Sequence, residues 1–90
     1  MARFVLLFGY TDPDLRSRVR PDHLDYVAAL HDRGQVVSAG PFEDGSGALI
    51  VYEAADEAEA QALVDADPYV LEGVMTEPRL RAWNVVFPRP

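Results

Sequence analysis

Two side chains are candidates for proton chemistry, His23 and Asp67. Histidine titrates near neutrality, with an unperturbed pKa of about 6.5. The chain has two histidines, and His31 falls in the tail of the helix that His23 is predicted to open. There is no cysteine, so thiol catalysis and disulfides are excluded. A carboxylate beside a histidine fixes the ring's tautomer and stabilises its charged form. Asp67, in Asp67-Pro68-Tyr69, could supply one. Each residue also has a plainer reading. An Asp before Pro commonly bonds its own downstream backbone in an Asx turn. His23 could simply cap or cover a helix start, where the dipole disfavours a protonated ring. Spacing alone does not bring Asp67, at the end of a second helix, next to His23.

Ser38-Ala39-Gly40-Pro41-Phe42 is a third element of interest. Small residues at a strand's end let a ligand or another backbone approach closely. Ser38 lacks a nucleophile-elbow context and is read as a hydrogen-bond donor. Arg16, Arg18 and Arg20 could attract an anion by forked hydrogen bonds, but the default for so acidic a neighbourhood is a solvated, ion-paired stretch. Tyr69 and Trp83 are core or pocket-wall aromatics. Two histidines without cysteine or His-x-His spacing give a weak case for metal. No phosphate loop or dinucleotide fingerprint is present, so no cofactor is expected.

The elements that must position these residues follow from periodicity. Residues 3–9 read as a strand ending at Gly9. Pro13 or Pro21 could each take the first position of a helix. From Pro21 the apolar Leu24, Val27 and Leu30 recur at helical spacing up to a Gly34 cap. Strands are expected over 35–39, broken by Gly40-Pro41, and over 48–52 after the turn at 43–47. Asp56 and Glu59 resemble a capping box before a helix through Ala60, Leu63 and Val64. Pro68 disfavours helix at Asp67. One short turn over 69–72 leads to a last strand over roughly 79–87. The order β-α-β-β-α-β is the ferredoxin-like arrangement, an α+β fold with an antiparallel sheet. Phe4, Leu6 and Phe8 alternate with Val5 and Leu7, and Leu49-Ile50-Val51-Tyr52 and Val85-Val86-Phe87 repeat this two-sidedness. Apolar strands on both faces imply that both are covered. The second cover is expected to be another copy of the chain, packed sheet to sheet in a homodimer.

Composition limits the function further. Ninety residues, 49% of them hydrophobic, make a single domain over 1–90. A formal charge of −7 argues against a nucleic-acid groove. The apolar run at Phe4–Phe8 is too short for a secretory core, and no stretch approaches a membrane span of about twenty residues. The expectation is a cytoplasmic protein whose partners are itself and a small-molecule ligand, with no membrane and no nucleic acid.

In order along the chain, Arg20-Pro21-Asp22-His23-Leu24-Asp25-Tyr26, Gly34 through Phe42, Gly47-Ala48-Leu49, Asp67-Pro68-Tyr69 and Trp83 resemble the YciI-like proteins, the YCII-related domain family. The resemblance implies a ferredoxin-like fold pairing into a dimeric α/β barrel, similar to muconolactone isomerase-type barrels, and a family that includes a dehydrochlorinase acting on a chlorinated hydroxyquinol. It implies a pocket with a His–Asp pair, falling on His23 and Asp67. Ser38 then matches a small polar pocket residue, Gly40 and Pro41 shape the wall, and Tyr69 stands where Phe is also usual. The function expected is a small cofactor-free enzyme using the dyad for isomerisation or elimination on a small cyclic or aromatic molecule. The alternatives are a non-catalytic ligand-binding or accessory dimer, and a structural module whose histidine caps a helix.

Overall fold

A computed structural model describes residues 1–89. Its elements are β1 (Ala2–Tyr10), α1 (Pro13–Asp32), β2 (Val36–Pro41), β3 (Ala48–Ala54), α2 (Glu57–Asp65), α3 (Pro68–Leu71) and β4 (Met75–Trp83). The four strands form one antiparallel sheet in the order β2-β3-β1-β4. This is the ferredoxin-like topology expected from the sequence.

The first helix corrects one expectation. It starts at Pro13, not Pro21, because the Asp12 side chain accepts from Asp14 N at 2.8 Å and Leu15 N at 3.4 Å, with Pro13 at a first-turn position. It then runs through Pro21. An interior proline strands the carbonyl four residues back; here that carbonyl belongs to Ser17, and both Ser17 and Pro21 are exposed, so water can satisfy it. Val19, His23 and Leu30 form the buried stripe of the helix, and Gly34, with φ 78°, turns the chain out.

Two strands also shift. The second continues through Gly40-Pro41, which pairs Pro41 with Ala48. Proline costs no ladder bond at an edge, and β2 is an edge strand. The last strand begins at Met75 and ends at Trp83, leaving Val85-Val86-Phe87 outside the sheet. It therefore includes Glu77-Pro78: Glu77 takes φ 49° where the β1–β4 register shifts between Leu7 and Gly9, an irregularity that this other edge strand absorbs.

Alternation sorts the strands by face. Phe4, Leu6 and Phe8 of β1 join Ala48, Ile50, Tyr52 and Ala54 of β3 in the core beneath the helices, with Leu30, Ala60, Val64 and Val74. Gly47 packs so tightly that any Cβ there would meet the Phe8 carbonyl. Val5, Leu7, Leu49 and Val51 fall on the opposite face, which no helix covers. Trp83 pairs with Arg3 on that face and is 47% exposed, so it is neither core nor wall of the His23 cavity. Among the described residues no helix is long and apolar enough to cross a membrane.

Candidate active site

Pro68 organises the acidic half of the site. It forces Asp67 into extended backbone (φ −67°, ψ 131°), which ends α2 and makes Asp67 the N-cap of α3. The Asp67 Oδ1 accepts from Tyr69 N at 2.8 Å, the expected Asx-type turn. The same oxygen lies 2.7 Å from His23 Nδ1. The two readings of Asp67 are therefore both met, by one atom. Packing of α1 against α3 makes the junction across 44 residues of chain.

His23 sits near the middle of α1, not at its start, so the dipole potential expected to disfavour its protonated form is absent; that potential fades within the first turn. The pair is enclosed: Asp67 has no exposed surface and His23 is 8% exposed. Because a carboxylate can only accept, His23 donates its Nδ1–H to Asp67. Among the described residues Nε2 has no hydrogen-bond partner, and it is not enclosed, so it is the nitrogen open to a ligand. Tyr69 stacks on the imidazole at 3.8 Å and 3°. That contact holds the ring's plane and offers a π-face to its cation. Tyr69 is itself held edge-on by Phe8 at 6.2 Å and Tyr10 at 6.1 Å.

Two further tyrosines stand behind the pair. Tyr26 donates to the Leu63 carbonyl at 2.6 Å and ties α1 to α2. Burial, reinforced by the Asp67 charge, pushes the Tyr26 hydroxyl above its usual range. Burial first, then the Asp67 charge and Tyr26, push Tyr52 much further, so it remains a hydroxyl at any ordinary pH. Tyr52 Oη and Asp67 Oδ2 are both buried without a hydrogen-bond partner among the described residues.

A cavity of about 190 Å³ opens over His23. One wall is a stripe of α1: Arg16, Arg20, His23, Leu24 and Val27. The others are Phe8, Tyr10 and Tyr69, then Ala39, Gly40 and Pro41 of β2, and Ala48 and Ile50 of β3. A larger, open depression of about 650 Å³ lies elsewhere, around Arg3, Trp83 and Asn84, and shares no lining residue with this one.

Of the residues singled out from sequence, His23, Asp67, Gly40, Pro41 and Tyr69 are thus brought together. Ser38 is not. The β2 register shifts between Val36 and Ser38, pairing Ser38 with Val51 on the far face and putting Ala39 opposite Ile50 at the cavity. Arg16 and Arg20, read by default as ion-paired surface, line the cavity instead. The i, i+4, i+7 spacing of Arg16, Arg20 and His23 would have revealed them had the helix been begun at Pro13. Burial raises the Tyr10 hydroxyl's pKa, with Arg16 pulling the other way. Among the described residues no cluster of three or more metal-ligating side chains occurs.

The profile of the YCII-related domain family matches residues 2–84. Protein YciI of Escherichia coli O6:H1 is 35% identical over an 82-residue alignment covering 80% of this chain and 84% of that protein. Among solved structures, 5-chloro-2-hydroxyhydroquinone dehydrochlorinase from Burkholderia phenoliruptrix, in complex with 2,5-dihydroxybenzoquinone, superposes with a TM-score of 0.74 at 20% identity, over 90% of this chain and 93% of that one. An antibiotic biosynthesis monooxygenase superposes with a TM-score of 0.63 at 10% identity, over 93% and 98%. At these identities the structural likeness speaks for the fold.

Proposed function

The chain belongs to the YCII-related domain family, and within it we propose that His23 and Asp67 form the acid–base dyad of a small enzyme acting on a single-ring organic molecule. The observation that carries this reading is the 2.7 Å contact between His23 Nδ1 and Asp67 Oδ1 beneath an open cavity. With Nδ1–H given to Asp67, the neutral ring presents Nε2 as a base. It takes a proton from an activated C–H or O–H of the substrate, and Asp67 and the Tyr69 face stabilise the resulting imidazolium. Returning that proton to a different atom is an isomerisation; departure of a leaving group with the released electron pair is an elimination. Such proton transfer contributes roughly 10²–10⁴-fold in rate.

The cavity's size favours one ring. A cavity of about 150 Å³ accommodates a benzene, and this one is about 190 Å³. Gly40, Pro41 and Tyr69 serve as its walls. The dehydrochlorinase with the same fold acts on a ring of this size. The apolar face that no helix covers, with Val5, Leu7 and Leu49 only half-buried, supports a homodimer packed sheet to sheet.

The test is turnover in D₂O, followed by proton NMR, of a panel of enolisable or halogenated single-ring compounds. The native protein should exchange or convert at least one. His23→Ala should lose that activity while keeping the native circular dichroism and size. An active His23→Ala variant would sink the proposal, and binding without any exchange would favour a non-catalytic ligand carrier.

A further inference from the structure

The chain carries 15 carboxylates against eight arginines, yet the charged side chains lining the His23 cavity are Arg16 and Arg20 alone, with no Asp or Glu. Neither arginine belongs to an ion pair among the described residues. Arg3 is the one ion-paired arginine among the described residues, so what sets Arg16 and Arg20 apart is their place together on the wall of a cavity that no Asp or Glu lines. Arg16 lies with its guanidinium carbon 4.0 Å from the Tyr10 ring centroid, which fixes its direction. Its Nε is buried with no acceptor among the described residues, whereas buried donors are ordinarily bonded. Arg20 and Arg16 precede His23 by about one and two helical turns, about 4.5 and 10.5 Å along the axis at 1.5 Å per residue.

We infer that the ligand of this cavity is a monocyclic carboxylate, its carboxylate held by Arg16 and Arg20 and its ring set against Tyr10 and Tyr69 over His23. A guanidinium matches a carboxylate in a forked, charge-assisted geometry that a neutral amide or phenol does not reproduce. The apolar side chains of Leu24, Val27 and Ile50 complete the wall around a ring. This inference rests on the reading of the His23 cavity as the substrate site, and it names the substrate's charge.

Isothermal titration calorimetry at low ionic strength tests it, using benzoate and 4-hydroxybenzoate against benzamide and phenol. The acids should bind at least about tenfold more tightly than their neutral counterparts, the loss expected when one charge-assisted hydrogen bond is missing. Arg20→Gln and Arg16→Gln should each weaken the acids by about tenfold and leave the neutral compounds unchanged. Arg18→Gln, an exposed residue that does not line the cavity, should change nothing. Arg16 is partly enclosed and its replacement could disturb packing, so the exposed Arg20 carries the test independently. Equal affinity for benzoate and benzamide, an Arg20→Gln variant that binds acids as the native protein does, or no binding of either acid at roughly millimolar concentration would overturn the inference. The two readings fail separately. Acids that bind through the arginines without turnover leave the anion site standing and remove the catalysis. Turnover of neutral rings with no preference for acids does the reverse.

Discussion

Replacing Asp67 separates its structural from its chemical part. In Asp67→Ala the α3 cap to Tyr69 N is lost, worth about 1 kcal/mol. The His23 Nδ1–H is left buried without an acceptor, a cost of about 1–3 kcal/mol. Removing a buried carboxylate whose Oδ2 has no partner gives some of this back. The expected net loss is therefore about 2–3 kcal/mol. A domain of 90 residues has roughly 5–13 kcal/mol in all, so the variant should fold with a clearly lowered urea midpoint. Asp67→Asn keeps an oxygen able to accept both bonds. It loses only the charge assistance, about 1 kcal/mol of stability. Its catalytic loss should exceed its stability loss, because the imidazolium forms only during reaction; about 1–2 kcal/mol there is a 5- to 30-fold fall in kcat. The assay is urea unfolding followed by circular dichroism at neutral pH, with kcat on any substrate the native protein converts. Alanine and asparagine variants of equal stability, or an asparagine variant with native kcat, would refute the reasoning.

The other predictions address the surroundings of the dyad. Tyr52→Phe should be neutral or slightly stabilising at pH 7, since its hydroxyl has no partner to lose; a loss above about 1 kcal/mol would mean that the hydroxyl is bonded after all. Burial raises the Tyr52 pKa, so its stabilising effect is whole below the unfolded tyrosine value of about 10 and drains as pH rises beyond it, by about 1.4 kcal/mol per pH unit. Urea midpoints at pH 9 and 11 should accordingly fall less in Tyr52→Phe than in the native protein, and equal falls would contradict the burial argument. Gly47→Ala should destabilise by about 2 kcal/mol or more, because the added methyl meets the Phe8 carbonyl, whereas Gly40→Ala has open space and should stay within about 0.5 kcal/mol; chemical denaturation ranks the two, and equal costs would refute the packing. Leu49→Arg should convert a particle of about twice the 10.0 kDa chain mass into monomers in analytical ultracentrifugation; a native monomer would remove the sheet-to-sheet dimer.

Local chemistry made much of this fold legible. Two-sided alternation marks β1 and β3, Asp56 caps α2 through Glu59 N at 2.8 Å, and Pro68 ends one helix and opens the next. Legibility failed where two local signals were equivalent or where tertiary context decided. Pro13 and Pro21 are both competent first-turn prolines. Only the Asp12 cap and the exposed side of α1 make the earlier one the start. Glu77-Pro78 breaks a strand by propensity and is tolerated because β4 is an edge. Ser38 and Ala39 exchanged faces through one register shift, since slipping a strand by one residue turns every side chain over. His23 and Asp67 were recognisable singly by type. Their contact depends on how α1 packs on α3, which spacing along the chain does not encode, and the family resemblance supplied it.

The central claim is that Asp67 holds the His23 proton on Nδ1 and leaves Nε2 free for chemistry. Long-range proton–nitrogen NMR of the histidine-labelled protein reads this without a substrate. The expected result is a proton on the His23 Nδ1, with loss of that preference in Asp67→Ala. A proton on Nε2 in the native protein, or a His23 signal indifferent to Asp67→Ala, would contradict it.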